Sequence, residues 1–225
     1  MQDSAFVHNA FSRIAKRYVL TNHVLSLGID VLWRKRVAAI VKSYQPALVL
    51  DMATGSGDLA ESVARACPEA RVVGADFCLP MLEEAKQRGR TDLVVADGTD
   101  MPFKDDSFDA MTVGFGLRNM ATWPGALTEM ARVVRPGGPV VVLDFSLPRA
   151  PLAAPYRFYL HHVLPRVAGL ITGERDAYQY LSGSIERFPS GEAMLDLFRD
   201  CGLENCRCEP VSWGIASIYV GEVAG

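Results

Sequence analysis

Val49-Leu50-Asp51-Met52-Ala53-Thr54-Gly55-Ser56-Gly57-Asp58 decides how the rest of the sequence is read. Ala47 to Met52 is a short apolar run behind Pro46, the length of a strand buried in a parallel sheet. Gly55 and Gly57 then permit a tight turn, because glycine reaches positive φ at little steric cost. Asp58 is placed to cap a helix over 58–66. A strand, a glycine turn and a helix start form a site for a nucleotide-type cofactor, with amide N–H groups facing the ligand.

Spacing alone leaves the cofactor open. Gly55-x-Gly57-x-x-Ala60 fits the dinucleotide fingerprint, and Asp76 follows at about the offset of a ribose contact. Charge separates the candidates. Asp51 and Asp58 flank the place a pyrophosphate would occupy and would repel it. S-adenosylmethionine (SAM) carries an ammonium and a sulfonium, and Asp51 can pair with the ammonium through a charge-assisted bond. The residues therefore point to SAM. The bland alternative is an ordinary strand-turn-helix with a capping aspartate.

Outward from this stretch, strands at 47–52, 71–75, 92–95, 108–114 and 139–144 alternate with helices at 58–66, 79–88 and 121–134. This alternation implies right-handed crossovers and a doubly wound α/β sheet. Ligands bind such sheets outside the carboxyl ends of the strands. Asp51, Asp76, Asp97 and Arg118 all fall there. Asp97 with Gly98 offers an acceptor and an N–H to an adenine edge, and Asp76 can accept from both ribose hydroxyls. Either aspartate alone reads equally well as a turn residue or helix cap. Three acidic strand ends in series read as a site.

Residues 4–43 are expected to be helical, with Phe6, Ala10, Phe11, Ile14 and Tyr18 on one stripe. A later helix carries Val31, Leu32, Val37 and Ile40. Such a prelude covers a crevice or simply packs. A second apolar stripe runs through Tyr156, Tyr159, Leu160, Val163, Leu164, Val167, Leu170 and Ile171, with Pro165 as a bend. It reads as core or as the wall of an apolar channel. A helix at 190–200 and strands near 203–210 and 214–220 would close the sheet as an antiparallel edge. Arg135-Pro136-Gly137-Gly138 ends the preceding helix and carries no chemistry.

A chain of 225 residues, 49% hydrophobic and 22% charged, suits one soluble α/β domain. No run reaches a membrane span and no apolar signal core opens the chain, so the cytoplasm is the expected location. The net charge of −3 argues against general nucleic-acid binding. Residues 1–45 hold seven Lys/Arg against two Asp, a net +5 that leaves −8 on the remainder. That basic cap is a solvated helical face, or touches the inner face of an anionic membrane as a peripheral contact. A homodimer is equally compatible. The five cysteines are odd in number and read as free thiols, and no metal site is expected, since no histidine follows His162.

The chain resembles the ubiquinone/menaquinone biosynthesis C-methyltransferases, the UbiE type, nearly end to end. The resemblance rests on Tyr18-x-x-x-Asn22-x-x-x-Ser26, Trp33, LDMATGSGD, Phe115-Gly116-Leu117-Arg118-Asn119, RVVRPGG and LDFS. It continues in His162-Val163-Leu164-Pro165, Tyr178-x-Tyr180-Leu181-x-x-Ser184-Ile185 and Phe188-Pro189. The glycine motif and RPGG are widespread, whereas FGLRN, the early Asn/Ser/Trp set and YxYLxxSI are specific together. The resemblance implies a Rossmann-like class I methyltransferase that uses SAM to methylate a ring carbon of a polyprenylated quinol. It implies one methyltransferase domain over 1–225: a helical cap at 1–45, a cofactor core at 46–148, a helical substrate-side insertion at 149–189, and a closing helix and strands at 190–225.

It assigns the cofactor to Asp51, Gly55, Ser56, Gly57, Asp76, Phe77, Asp97, Gly98 and Gly114, and catalysis to Arg118, Asn119 and Tyr18. Arg118 would steady a developing phenolate, or else pair with a core aspartate. Asn119 would orient the ring or a water, and Tyr18 would close the pocket. His161, His162, Tyr18 or water would take the proton. Four positions depart from the family pattern: Val19 for Asp, Asp30 for His, Gly114 for Ser and Tyr219 for His. Weaker readings are a methyltransferase for another aromatic or lipid-like acceptor, a non-catalytic SAM-binding scaffold, and a nicotinamide dehydrogenase.

Overall fold

The computed structural model describes residues 28–148, 150–163, 166 and 183–225. Tyr18, Val19, Asn22, Ser26, the helices expected before residue 28 and the stripe residues Leu164, Val167, Leu170 and Ile171 lie outside them. Helix α1 (Ile29–Ser43) precedes β1 (Leu48–Met52), α2 (Asp58–Ala66), β2 (Arg71–Asp76), α3 (Leu79–Gln87) and β3 (Leu93–Val95). Then come β4 (Ala110–Gly114), α4 (Trp123–Val133), β5 (Pro139–Phe145), α5 (Ala153–Phe158), α6 (Glu192–Asp200), β6 (Leu203–Val211) and β7 (Ala216–Val223).

The strands form one seven-stranded sheet in the order β3-β2-β1-β4-β5-β7-β6. The first five are parallel, and β7 inserts antiparallel between β5 and β6. The order reverses at β1 and β4, so a crevice opens beyond their carboxyl ends. Successive strand residues bury on opposite faces. Leu50, Met52, Met111, Val113 and Val142 pack with α4 and α6, while Val49, Ala110, Val141 and Leu143 pack with α1 and α2. Both faces are thus covered, which is why these strands read as unbroken apolar runs.

Helix α1 corrects one expectation. Its buried stripe is Asp30, Trp33, Arg34, Val37, Ala38, Ile40 and Val41. Val31 and Leu32 are turned outward, Leu32 at 63% exposure. Two charged residues enter the stripe because Asp30 and Arg34 neutralise each other at 2.6 Å, one helical turn apart. The second stripe is broken differently from its sequence pattern: α5 passes into a π-helical turn at Tyr159–Val163. Leu160 and Ile185 form a small cluster there with Phe145, Leu147, Tyr156 and Tyr159.

Candidate active site

The turn after β1 carries left-handed backbone at Ala53, Gly55 and Gly57 (φ 53°, 57° and 84°). A Cβ on Gly57 would sit 2.9 Å from Arg90 Cγ, so glycine is required there by space as well as by φ. Gly57, not Asp58, occupies the N-cap of α2, and no side chain caps it in the usual way. The capping role falls to Asp51, whose Oδ2 accepts from the Ala60 amide at 3.1 Å. Asp58 is the first helical residue. It accepts from Ser56 Oγ at 2.8 Å and pairs with Arg88 at 2.8 Å. Burial pushes the Asp58 carboxyl up, but Arg88, Arg34 and Ser56 outweigh it and hold it below its ordinary value. Asp58 therefore lines the crevice as a carboxylate already paired with Arg88.

Asp51 is fully buried. Its Oδ1 accepts from Thr112 Oγ1 at 2.6 Å, and Oδ2 also accepts from Thr54 Oγ1 at 2.6 Å. Burial pushes its pKa up to about 6 against those bonds, and the nearby Asp76 adds to the rise. Its first task is internal: it ties β1 to β4, the turn and α2. Asp76 accepts from the Gly55 amide (2.8 Å) and the Cys78 amide (2.9 Å), which fixes its carboxylate at the end of β2. Asp97 accepts from the Thr99 amide and hydroxyl, a turn contact, and stands exposed beside buried Gly98.

These groups line one crevice enclosing about 1020 Å³, open mouth included. Asp51, Gly55, Ser56, Asp76, Phe77, Asp97, Gly98, Gly114 and Asn119 all line it, and Gly57 stands behind the lining. The sequence reading missed Arg34, Met81, Phe115 and Met120 in the same wall. Phe115 lay inside the quoted FGLRN motif, and its left-handed φ of 59° carries no sequence signal. Gly116 has a visible cause: a Cβ there would meet Ala53 Cβ at 2.4 Å. At Gly98 it would meet the Met120 sulfur at 2.8 Å, so glycine keeps that end of the crevice open. A Cβ at Gly114 would come 3.0 Å from Leu59 Cδ2, so a side chain there would press on Leu59.

The Arg118 guanidinium is 3% exposed and outside the lining. Its Nη1 pairs with Asp144 Oδ1 at 2.7 Å and donates to the Phe115 carbonyl at 2.5 Å. The guanidinium also lies 5.3 Å over the Phe145 ring. This is the core ion pair that the sequence offered as the alternative. Burial pushes the Asp144 carboxyl up, although Arg118 pulls the other way. Burial and Tyr159 push Tyr156 upward too, while Arg118 draws it down, which places that hydroxyl in the guanidinium's field. Asn119 donates weakly to the Phe115 carbonyl at 3.4 Å. His161 and His162 are exposed, the first paired with Glu186 and the second against Phe158.

The departures at 30 and 219 are locally accounted for. Asp30 pairs with Arg34, and Tyr219 is fully buried, its hydroxyl accepting from the Gly191 amide at 3.0 Å before α6. The residues present suit SAM. Anionic groups lie at the tips of β1 and β2, and a glycine-bounded slot beside Phe77, Met81 and Met120 has apolar walls for a purine.

The model of the ubiE/COQ5 methyltransferase family matches residues 1–222. A demethylmenaquinone methyltransferase of Thermus thermophilus is 42% identical over 218 residues, covering 94% of this chain and 99% of that protein. A ubiquinone/menaquinone biosynthesis C-methyltransferase UbiE of Bdellovibrio bacteriovorus is 41% identical over 225 residues, covering 96% and 95%. Among solved structures, a Thermotoga maritima SAM-dependent methyltransferase, described as a possible histamine N-methyltransferase, superposes with a TM-score of 0.68. It is 19% identical and covers 95% of this chain and 98% of its own, which bears on fold alone.

Proposed function

The chain belongs to the ubiE/COQ5 methyltransferase family, and from that membership we infer that it is a SAM-dependent C-methyltransferase of quinone biosynthesis. Its acceptor is a ring carbon of a polyprenylated quinol, demethylmenaquinol or a prenylated methoxybenzoquinol. One relative is named a demethylmenaquinone methyltransferase and another a ubiquinone/menaquinone biosynthesis C-methyltransferase. The observation that carries the reading is the crevice at the β1–β4 reversal, where buried Asp51 and Asp76 make an anionic floor for a cationic methyl donor.

Bound there, SAM supplies an electrophilic methyl group. The chain's own work is to hold, orient and exclude water. Asp76 is pre-aimed by two amides toward a ribose, and Asp97 with Gly98 bounds the purine slot. Asp51 contributes its charge through the floor, since its oxygens already accept three bonds from the chain. A quinol ring becomes strongly nucleophilic once its hydroxyl, with a pKa near 10 as in tyrosine, loses a proton. Arg118, buried behind the lining and paired with Asp144, acts on the resulting phenolate through its field rather than by contact. A guanidinium holds its proton too tightly to serve as a base, and Asp144 keeps its cation in place. Asn119 orients the acceptor or a water, and Tyr18 closes the pocket.

Residues 1–45 and 149–189 form the acceptor side in this reading, within one catalytic unit over 1–225. The prenyl tail leads toward a membrane, which the protein meets peripherally from the cytoplasmic side. The test is mass spectrometry of quinones from cells lacking the protein. Accumulation of one desmethyl quinone, cured by the gene, is expected and identifies the acceptor. An unchanged quinone pool overturns the reading.

A further inference from the structure

The turn between β6 and β7 carries a run of left-handed backbone. Ser212, Trp213 and Gly214 all take left-handed φ, at 48°, 57° and 89°. Only the last is glycine, so two side chains are held where L-residues are disfavoured. The outcome of that strain is a tryptophan 84% exposed to solvent. Beside other exposed apolar groups, a tryptophan so exposed marks a contact surface.

The turn is firmly placed. Ser146 donates its amide to Ile215 and its hydroxyl to the Gly214 carbonyl, at 2.9 and 2.8 Å. Trp33 Nε1 donates to Ser212 Oγ at 2.9 Å, and the Trp33 ring packs on Phe115 and Phe145. Because Ala216 pairs with Phe145, Trp213 projects from the carboxyl edge of the sheet, the edge on which the crevice opens. An aromatic path thus leads from Phe115 in the crevice wall through Trp33 to the Trp213 turn.

Other apolar groups are exposed near that edge: Leu32 (63%) beside Trp33 on α1, and Phe158 (62%) on α5, which meets the same Leu160–Ile185 cluster as Phe145 through Tyr156. Charge completes the pattern. Among the described residues of 146–166, Arg157 and Arg166 are exposed, His161 and His162 lie between them and no acidic residue occurs, in a chain of net charge −3. Apolar groups interleaved with cations on one segment suit an anionic lipid surface.

We propose that the carboxyl edge of the sheet docks on an anionic bilayer, with Trp213 as the anchor and Leu32 and Phe158 beside it. The crevice mouth then faces the lipid from which a prenylated acceptor is drawn, so the proposal rests on the reading of the acceptor above.

The test uses the whole protein with vesicles of phosphatidylcholine, alone or mixed with phosphatidylglycerol. Wild type is expected to sediment with the mixed vesicles and weakly with the neutral ones. Its tryptophan emission should shift to the blue, because Trp33 is buried and Trp123 half-buried, leaving Trp213 to report. Trp213→Asp and Phe158→Asp should each weaken binding roughly tenfold. Trp213→Phe should bind but lose the shift. On acceptor embedded in vesicles Trp213→Asp should turn over slowly, yet match wild type on a short-prenyl acceptor in detergent. Wild type left in the supernatant, Trp213→Asp binding as wild type, or a dimer without lipid that Trp213→Asp dissolves would each overturn the proposal. Vesicle binding with no methylation of any quinol would sink the functional reading and leave the docking intact.

Discussion

Asp51 shows how a residue named for one role holds a second. Sequence placed it at a strand end next to a cationic ligand, and its position in the crevice floor agrees. What could not be read was Thr112, sixty-one residues away, and the Ala60 amide, which together bind the carboxylate into the core. Burial raises its pKa from 3.8 to about 6. The sign follows from linkage. A raised carboxyl favours the fold when protonated, so its stabilising contribution is complete below 3.8 and is lost as pH rises through about 6. A cation in the crevice acts the other way, favouring the ionised form. SAM affinity is therefore full above pH 6 and declines as pH falls through it, by up to about tenfold per unit. Calorimetric titration at pH 7 and pH 5 should show that loss, with Asp51→Asn weak and flat across the range. Equal wild-type affinity at both values would remove Asp51 from cofactor binding. Asp58 carries the opposite lesson, since its neighbours Arg88 and Arg34 come from other elements and no local pattern announces them.

Among elements, the parallel strands and their helices were legible to within a few residues, because strands covered on both faces must be short and apolar. The antiparallel edge was legible too. The register of α1 was not: Val31 and Leu32 have the composition of core, but Asp30 and Arg34 take the buried side as a neutral pair. The Ser212–Gly214 turn was also invisible, since nothing in serine or tryptophan codes for left-handed backbone. The join between the end of β5 and the turn at Leu117–Asn119 is where fold and chemistry meet. Asp144 and Arg118 are both buried there, 2.7 Å apart. Arg118→Ala leaves a buried carboxylate without its cation, at a cost of about 3–5 kcal/mol. Replacing both, as Arg118→Met with Asp144→Leu, should recover most of that stability in denaturant titration. Turnover should stay lost while SAM still binds. A double variant as active as wild type would place Arg118 in the fold alone.

At the scale of the whole molecule, the sheet order puts β1 and β4 side by side at the reversal, and the acidic ends of β1, β2 and β3 then face one crevice. That convergence could be anticipated because the strand order of a doubly wound sheet is constrained by its crossovers. Its depth and the aromatic path beside it could not, since they depend on Phe115, Trp33 and Phe145 meeting from three elements. No helix among the described residues is long and apolar enough to cross a membrane. The proposed docking would set the exposed edge against the lipid that carries a prenylated acceptor.

The central claim is that buried acidic strand ends hold a cationic methyl donor beside an arginine that steadies an aromatic anion. It is tested most directly by incubating the purified protein with methyl-labelled SAM and reduced demethylmenaquinone or its benzoquinol counterpart, then locating the label. The account predicts label on a ring carbon of one of these quinones, lost in Asp76→Ala through weakened SAM binding. Label reaching neither quinone, from a protein that binds NAD in the same crevice, would contradict it.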